Sequence, residues 1–352
     1  MSATTTGVYS TSYRADSALR RTRVEYVRLA LLIAAVLAAP AVVSPYWLHS
    51  LDRIGIAVIG AVGLNILVGY TGQISLGQGG FLAVGAYTAG LISIHSGLPP
   101  VVGIVVAATT SAAFGAFFGL PALRLKGLYL AIATLASQEI IIWIILHWKY
   151  AGAAAPLTIT EPTKVFGWTV AGDKSWYFVI LAFAALAVIV ATNLFRTGVG
   201  RAFLAIRDQD IAAEAMGVDT ARYKIIAFAI SSGFVGVAGA LTAYWTQILT
   251  FEAFTIDVSI AYLAMVIIGG LGSVSGAVYG AFFILGLEDW LTKFGQKFDV
   301  NSTFGFIQKD LPAIKQVIFG LAIVLFLVFE PKGLARIWQR SKDYFRLWPF
   351  RY

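Results

Sequence analysis

Runs of 16 to 25 nearly uncharged residues recur along most of the chain, and each is long enough to cross roughly 30 Å of hydrocarbon as a helix. Lipid offers no partner for an open backbone, so helices are the expected spanning form. Composition agrees: 59% of the 352 residues are apolar and 12% charged, against about 25% charged in a water-soluble domain. The runs fall at about 26–43, 54–70, 79–95, 101–120, 128–147, 176–195, 225–249, 259–270, 274–287 and 314–330. The expected fold class is therefore an all-α integral membrane protein of about ten transmembrane helices or short re-entrant segments. Thirty-five glycines suit close helix approach, with Gly115-x-x-x-Gly119 and Gly276-x-x-x-Gly280 as packing spacings.

Basic residues set the orientation. Arg14, Arg20, Arg21, Arg23 and Arg28 precede the runs, and Lys332, Arg336, Arg340, Lys342, Arg346 and Arg351 follow them. With both termini cytoplasmic, Arg124, Lys126, Arg196, Arg201, Arg207, Arg222 and Lys224 also fall inside, giving 18 of the 26 basic residues. The division is a cytoplasmic tail 1–25, a transmembrane domain 26–330 and a basic cytoplasmic tail 331–352. Parity then requires 259–287 to leave and return to one side, although it is short for two spans. Its centre holds Gly269, Gly270, Gly272, Ser273 and Gly276, so two short helices or a re-entrant hairpin around a bend are expected. Irregular backbone at that depth has to face protein or a water-filled cavity. Trp47, Trp143, Trp148, Trp176, Trp245 and Trp290 fall near outer ends, as in an interfacial belt. The outer loop 149–175, with Pro156 and Pro162, argues against a buried helix.

The net charge of +8 sits in short connecting segments, so membrane topology accounts for it and no nucleic-acid partner is expected. Without cysteine there is no disulfide framework or thiolate metal site, and His49, His95 and His147 are scattered near span ends. Ala39-Pro40-Ala41 loosely resembles a signal cleavage site, but the later spans keep the chain in the membrane regardless. No phosphate-binding G-x-x-x-x-G-K-[ST] loop, G-x-S-x-G elbow or H-E-x-x-H helix occurs. An enzyme is not expected; what remains is a conduit, energised by a partner or by an ion gradient. Residues 196–224 bear on that choice, because a mixed-charge segment with Phe203, Ile206, Ile211 and Met216 at helical spacing is too long for a simple connector. It reads either as an amphipathic helix on the membrane surface or as a docking helix for a soluble cytoplasmic partner.

Four segments in order, GLNILVGYTGQISLGQGGFLAVGAYTAG at 63–90, LRLKGLYLAIATLASQEI at 123–140, the 196–224 loop and VIIGGLGSVSGAVYGA at 266–281, resemble the larger, LivM-type permease subunit of branched-chain amino-acid ABC importers. The resemblance implies a type II importer-like permease in a bacterial cytoplasmic (inner) membrane. Its partners would be a second, LivH-type permease, two cytoplasmic ATPase subunits and an external solute-binding protein, within membrane lipid. ATP and magnesium would be used by the ATPases, and this chain would bind no cofactor. Relatives of the family carry urea, short amides or aromatic acids, and few fixed charges in the spans favour a small, largely apolar solute.

In the resemblance, Ile211-Ala212-Ala213-Glu214-Ala215-Met216-Gly217 matches the E-A-A-x-x-x-G docking pattern except that Ile211 replaces the first glutamate. Ala212 and Ala213 would allow close approach to the ATPase, Gly217 would cap the helix, and Arg201, Arg207, Asp208, Asp210 and Glu214 would offer polar contacts. The translocation pathway is expected at Asn65, Gln73, Ser75 and Gln78, whose uncharged polar groups face a bundle interior or bond between helices. Glu139 lies roughly 17 Å into its run at 1.5 Å per residue. A charge there costs about 2.5–3.5 kcal/mol on insertion scales, so it must face a polar interior, find a partner or be protonated. A gradient-driven carrier would make it a proton or cation relay; the family resemblance favours a structural or gating role.

Overall fold

The computed structural model describes residues 23–152, 155–159, 164–165, 168–169, 172–295, 310–330 and 333–347. The tail residues 1–22 and 348–352, with Pro162 and Lys332, lie outside them. Each apolar run is a helix: α1 (Arg23–Val42), α2 (Pro45–Asn65), α3 (Gln78–Ser96), α4 (Pro100–Phe118), α5 (Leu128–His147) and α6 (Asp173–Leu194). Two short helices follow, α7 (Gly198–Asp208) and α8 (Asp210–Ala215), and then α9 (Thr220–Thr246), α10 (Ile256–Gly269), α11 (Val274–Gly295), α12 (Leu311–Phe329) and α13 (Gly333–Leu347). Among the described residues seven helical stretches are long and apolar enough to cross a membrane, at 45–70, 100–118, 128–147, 173–194, 220–246, 251–269 and 274–295. α1 and α12 carry the shorter apolar stretches Ile33–Val42 and Ala313–Phe326.

Two helices run past charges expected to end them. α2 begins at Pro45 and includes Asp52 and Arg53, while α11 continues to Gly295 through Glu288 and Asp289. The charges answer one another: Arg53 Nη1 stands 2.9 Å from Asp289 Oδ1 and Nη2 3.1 Å from Glu288 Oε2. The segment 259–287 is thus two helices around the bend at 270–273, but both reach further than expected. A 3₁₀ turn at Phe251–Phe254 leads into α10, and α11 has 22 residues.

α2 is the axis of the bundle, with 83% of its apolar window buried against 22% for α6 at the rim. α9 packs on α2, α3 and α4, and glycine makes those crossings close. A Cβ on Gly85 or Gly239 would strike backbone of the facing helix, at Gly236 or Leu82. Gly115 and Gly119 of α4 lie against Ser232 and Phe228 of α9, and Gly276 and Gly280 of α11 against Gly269 and Met265 of α10. Both G-x-x-x-G spacings are packing contacts. The described part of 149–175 holds a 3₁₀ turn and short strands in place of a helix. β1 (Leu157–Thr158) pairs antiparallel with β4 (Ile248–Leu249), and β2 (Lys164–Val165) with β3 (Trp168–Thr169).

Candidate functional site

Where α2 ends, its backbone widens into a π turn, Ile66–Tyr70, a departure that concentrates at functional positions in helices. Asn65, 1% exposed, crosses from this turn to the bend between α10 and α11. Its Nδ2 donates to Ser273 O at 2.7 Å, and its Oδ1 accepts from Gly272 N at 3.0 Å. Gly272 has φ +75° and Gly270 φ +120°, conformations that favour glycine. Ser273 Oγ then accepts from Gly276 N at 3.2 Å, opening α11. Gly276 and Gly269 allow the two helices to meet, a Cβ on Gly276 coming within 2.7 Å of Gly269 O. One buried amide therefore joins two helix breaks that are 208 positions apart in sequence.

Beyond the π turn, residues 72–77 have no regular secondary structure, and burial alternates along 71–75. Thr71, Gln73 and Ser75 are buried, whereas Gly72 and Ile74 are exposed. Thr71 Oγ1 donates to Leu67 O at 2.6 Å, and Gln73 Nε2 donates to Thr71 Oγ1 at 2.9 Å. Ser75 Oγ accepts from Gly77 N at 3.4 Å. A cavity of about 1030 Å³ lies on the exposed side, with Gly72, Ile74, Arg207, Leu271, Gly272 and Arg336 in its wall.

A second junction lies higher in the bundle, where α3 and α10 both begin. Gln78 Nε2 donates to Gly60 O of α2 at 3.1 Å, and Gly79 N donates to Ser259 Oγ of α10 at 2.8 Å. Gln138 of α5 binds both starts. With its amide oriented so that both ends are satisfied, it donates to Ser259 Oγ at 2.6 Å and Leu76 O at 3.1 Å, and accepts from Ile256 N at 3.1 Å. Gln138 stands ten residues beyond Leu128, about 15 Å along the helix. The next residue, Glu139, points the opposite way. It is exposed and makes no hydrogen bond or ion pair among the described residues. Tyr129, Ile132, Ala136, Glu139 and Trp143, spaced by three and four, form an exposed stripe down α5.

The loop between α6 and α9 folds against the end of the bundle that holds the π turn. α7 buries Phe203 and Ile206, which are 0% and 5% exposed, so its apolar face is used inside the chain. Asp210, at the joint with α8, lies 2.8 Å from Lys126 Nζ and 2.7 Å from Lys224 Nζ. Burial alone would raise its carboxyl, but hydrogen bonds from the two lysines and their charge outweigh that and hold it below the usual carboxylate range. Arg207 is exposed, with Nε 3.7 Å from Asp208 Oδ1, but its Nη1 reaches the π turn and donates to Gly69 O at 2.8 Å. Of α8, Ala213 is buried, while Ala212 and Glu214 are exposed and the apolar Ile211 and Met216 are 74% and 85% exposed. Arg201 and Asp208 are exposed as well. Gly217, at φ +86°, ends α8 with Val218 N bonded to Ala213 O at 3.0 Å and Gly217 N to Glu214 O at 2.9 Å, a Schellman cap.

The sequence-derived residues thus form three groups. Asn65 joins Gly272 and Ser273 at the lower junction; Gln78 belongs to the upper one; Gln73 and Ser75 brace the irregular segment between them. All four polar side chains face the interior of this chain, and Glu139 alone faces outward. Sequence reasoning passed over Gln138, although an amide in mid-span beside Glu139 was a visible signal. It also passed over Asp52, fully buried with neither carboxylate oxygen hydrogen-bonded among the described residues. Asp52 stands beside Arg53 at the edge of an apolar run, where it reads as outside the span.

Residues 46–327 match the family described as branched-chain amino acid transport system / permease component. The high-affinity branched-chain amino acid transport system permease protein LivM of Salmonella typhimurium is 32% identical over 330 residues, 87% of this chain and 73% of that protein. The probable branched-chain amino acid transport permease protein LivM of Methanocaldococcus jannaschii is 26% identical over 80% of this chain and 90% of its own length. The probable LivH permease of the same organism is also 26% identical, over 81% of this chain and 90% of that protein. No solved structure matches the chain.

Proposed function

This chain belongs to the branched-chain amino acid transport permease family and is a membrane permease subunit of an ABC importer, and from that premise we propose that it forms half of a translocation pathway for branched-chain or other hydrophobic amino acids. The other half is a LivH-type permease. Two ATPase subunits that use ATP and magnesium drive the pair from the cytoplasm, and an external solute-binding protein delivers the substrate. The membrane is a bacterial cytoplasmic membrane, with both termini inside and about ten spans once α1, α3 and α12 are added to the seven stretches that are long and apolar enough to cross.

The observation that carries this reading is α8. Ile211 and Met216 stand almost fully exposed on a short helix that Asp210 pins to Lys126 and Lys224. A rigidly held apolar knob fits a cleft in a soluble partner. The reading as a membrane-surface helix loses support because α7 buries its own apolar stripe. Ile211, where the family pattern has glutamate, supplies apolar contact. Ala212, Asp208, Glu214 and Arg201 are exposed, Ala213 is buried, and the partly exposed Arg207 and Asp210 bond the unit to the bundle.

The outward Glu139 stripe supports a pathway shared with the second permease. A carboxylate at that depth facing lipid is costly, and a second permease or a water-filled pathway against Ala136 and Glu139 removes the cost. Asn65, Gln73, Ser75 and Gln78 then shape the pathway from behind by fixing the breaks at Gly269, Gly270, Gly272, Ser273 and Gly276. The carrier of urea, amides or aromatic acids is the same machine with another binding protein. Deletion of 196–224 tests the docking reading. Loss of ATPase co-purification with the assembled permease pair is expected, and a deleted chain that still recruits the ATPase and transports normally refutes it.

A further inference from the structure

Among the charged residues of the docking loop, Arg207 has a bonding pattern that docking does not require. It ends α7, the helix whose Phe203 and Ile206 are sealed inside the chain, and its guanidinium reaches Gly69 O at 2.8 Å. Gly69 sits in the last turn before the chain leaves regular helix, where helix carbonyls have no intrahelical donor and the dipole favours a cation. Arg207 and Gly272 wall the cavity, yet the glycines here have no room for a side chain. A Cβ on Gly69 would strike Asn65 Oδ1 and Gly272 N, and a Cβ on Gly272 would lie 2.7 Å from Arg207 Nη1. Arg207, the π turn and the α10–α11 bend therefore meet at one place, and Asn65 closes the triangle.

We infer that Arg207 is a positioning residue that ties the docking helices to the two helix breaks, so that displacement of α8 by the ATPase is carried to the π turn and the 270–273 bend. This rests on the reading of 196–217 as the ATPase-docking unit. The unit is anchored on both sides of Gln209: Arg207 to the breaks, Asp210 to the connection before α5 and to the start of α9. Pushing on α8 loads both anchors. The Arg207 anchor ends on the backbone of the π turn, beside a bend whose glycines at φ +75° and +120° are free to pivot. The rest of the bundle is close-packed and transmits displacement instead of absorbing it.

The test uses the full complex, this chain with its partner permease, ATPases and binding protein, in proteoliposomes. Arg207→Gln is expected to leave ATPase co-purification and hydrolysis in place while uptake per ATP falls about tenfold, the effect of losing one charge-assisted hydrogen bond. Arg207→Lys keeps a cation and one donor and is expected to restore most of the ratio. Wild-type uptake per ATP in Arg207→Gln overturns the inference. So does loss of ATPase co-purification in both variants, which would make Arg207 a docking contact. A deleted loop that still recruits the ATPase instead defeats the docking reading itself. An unmodified complex gives a reading independent of any folding defect: with ATP and vanadate, amide exchange at 66–73 and 270–273 is expected to change together with 198–217. A response at 198–217 with none at the breaks overturns the inference.

Discussion

Replacing Asn65 with alanine removes two hydrogen bonds that tie the start of the π turn to the 270–273 bend, and the structure fixes what that should cost. Two hydrogen bonds vanish, at 2.7 and 3.0 Å, both anchored on a residue 1% exposed. Inside membrane proteins such bonds are worth about 0.6–1.7 kcal/mol each. Gly272 N and Ser273 O are left without that partner, and a buried unsatisfied group costs about 1–3 kcal/mol. Partial exposure of the bend lets water take up some of that penalty, so a total of about 2–4 kcal/mol is expected. If it falls wholly on the closed junction, the balance between closed and open states shifts roughly 30- to 700-fold. Purified permease pair carrying Asn65→Ala should melt several degrees lower, and the reconstituted importer should hydrolyse ATP with little uptake. Asn65→Asp, which keeps the acceptor for Gly272 N and loses the donor to Ser273 O, should fall between. An Asn65→Ala complex with unchanged melting and unchanged uptake would refute the assignment of these two bonds as the closure of the junction.

Four further outcomes are expected. Ile211→Ser with Met216→Ser should reduce ATPase co-purification about tenfold or more by removing two exposed apolar contacts, with permease assembly unchanged; equal recovery of ATPase would count against α8 as the docking knob. Glu139→Gln, if the stripe is structural or gating, should assemble, retain ATP-dependent uptake and keep its pH dependence; loss of uptake with intact docking would place the carboxylate in the transport step. Single cysteines at 72 and 74 should react with a small water-soluble thiol reagent through the cavity while those at 73 and 75 stay protected, and the reverse pattern would show that the two sides of the segment are misassigned. The Asp210 carboxyl is depressed in the folded chain, so its tether contributes fully above the ordinary value of 3.8 and is lost as pH falls through the lowered one. Exchange protection at 208–217 should therefore hold at mildly acidic pH and in Asp210→Asn should be weak throughout; protection lost already near neutrality would contradict that sign.

Apolar length located the helices because the bilayer imposes it. The run 128–147 coincides with α5 to the residue. The misjudged ends at 54 and 287 share one cause: Arg53, Glu288 and Asp289 neutralise one another across 235 and 236 positions, a distance that window hydropathy does not cross. The breaks were legible as glycine and polar clusters, but which groups bond across them was not. Burial alternates along 71–75, so Gly72 and Ile74 line the cavity while Gln73 braces the turn, and no window of hydropathy shows that. For the docking loop, helical spacing was correct and its consequence depended on tertiary packing. Phe203 and Ile206 found partners in the chain and Ile211 and Met216 did not. The bond from Arg207 to the π turn and the lysine tether of Asp210 are products of long-range contact. The basic tail likewise holds α13, whose Gly333 packs against Gly269 and Gly270.

The energy source is the most direct test of what this chain does in its assembly. Proteoliposomes containing this chain, the second permease and the two ATPases, supplied with binding protein outside, should accumulate radiolabelled leucine only when ATP is present in the compartment facing the ATPases. Ionophores that collapse proton and sodium gradients should leave the initial rate unchanged. Uptake that persists without the ATPases and disappears with the ion gradient would contradict the assignment.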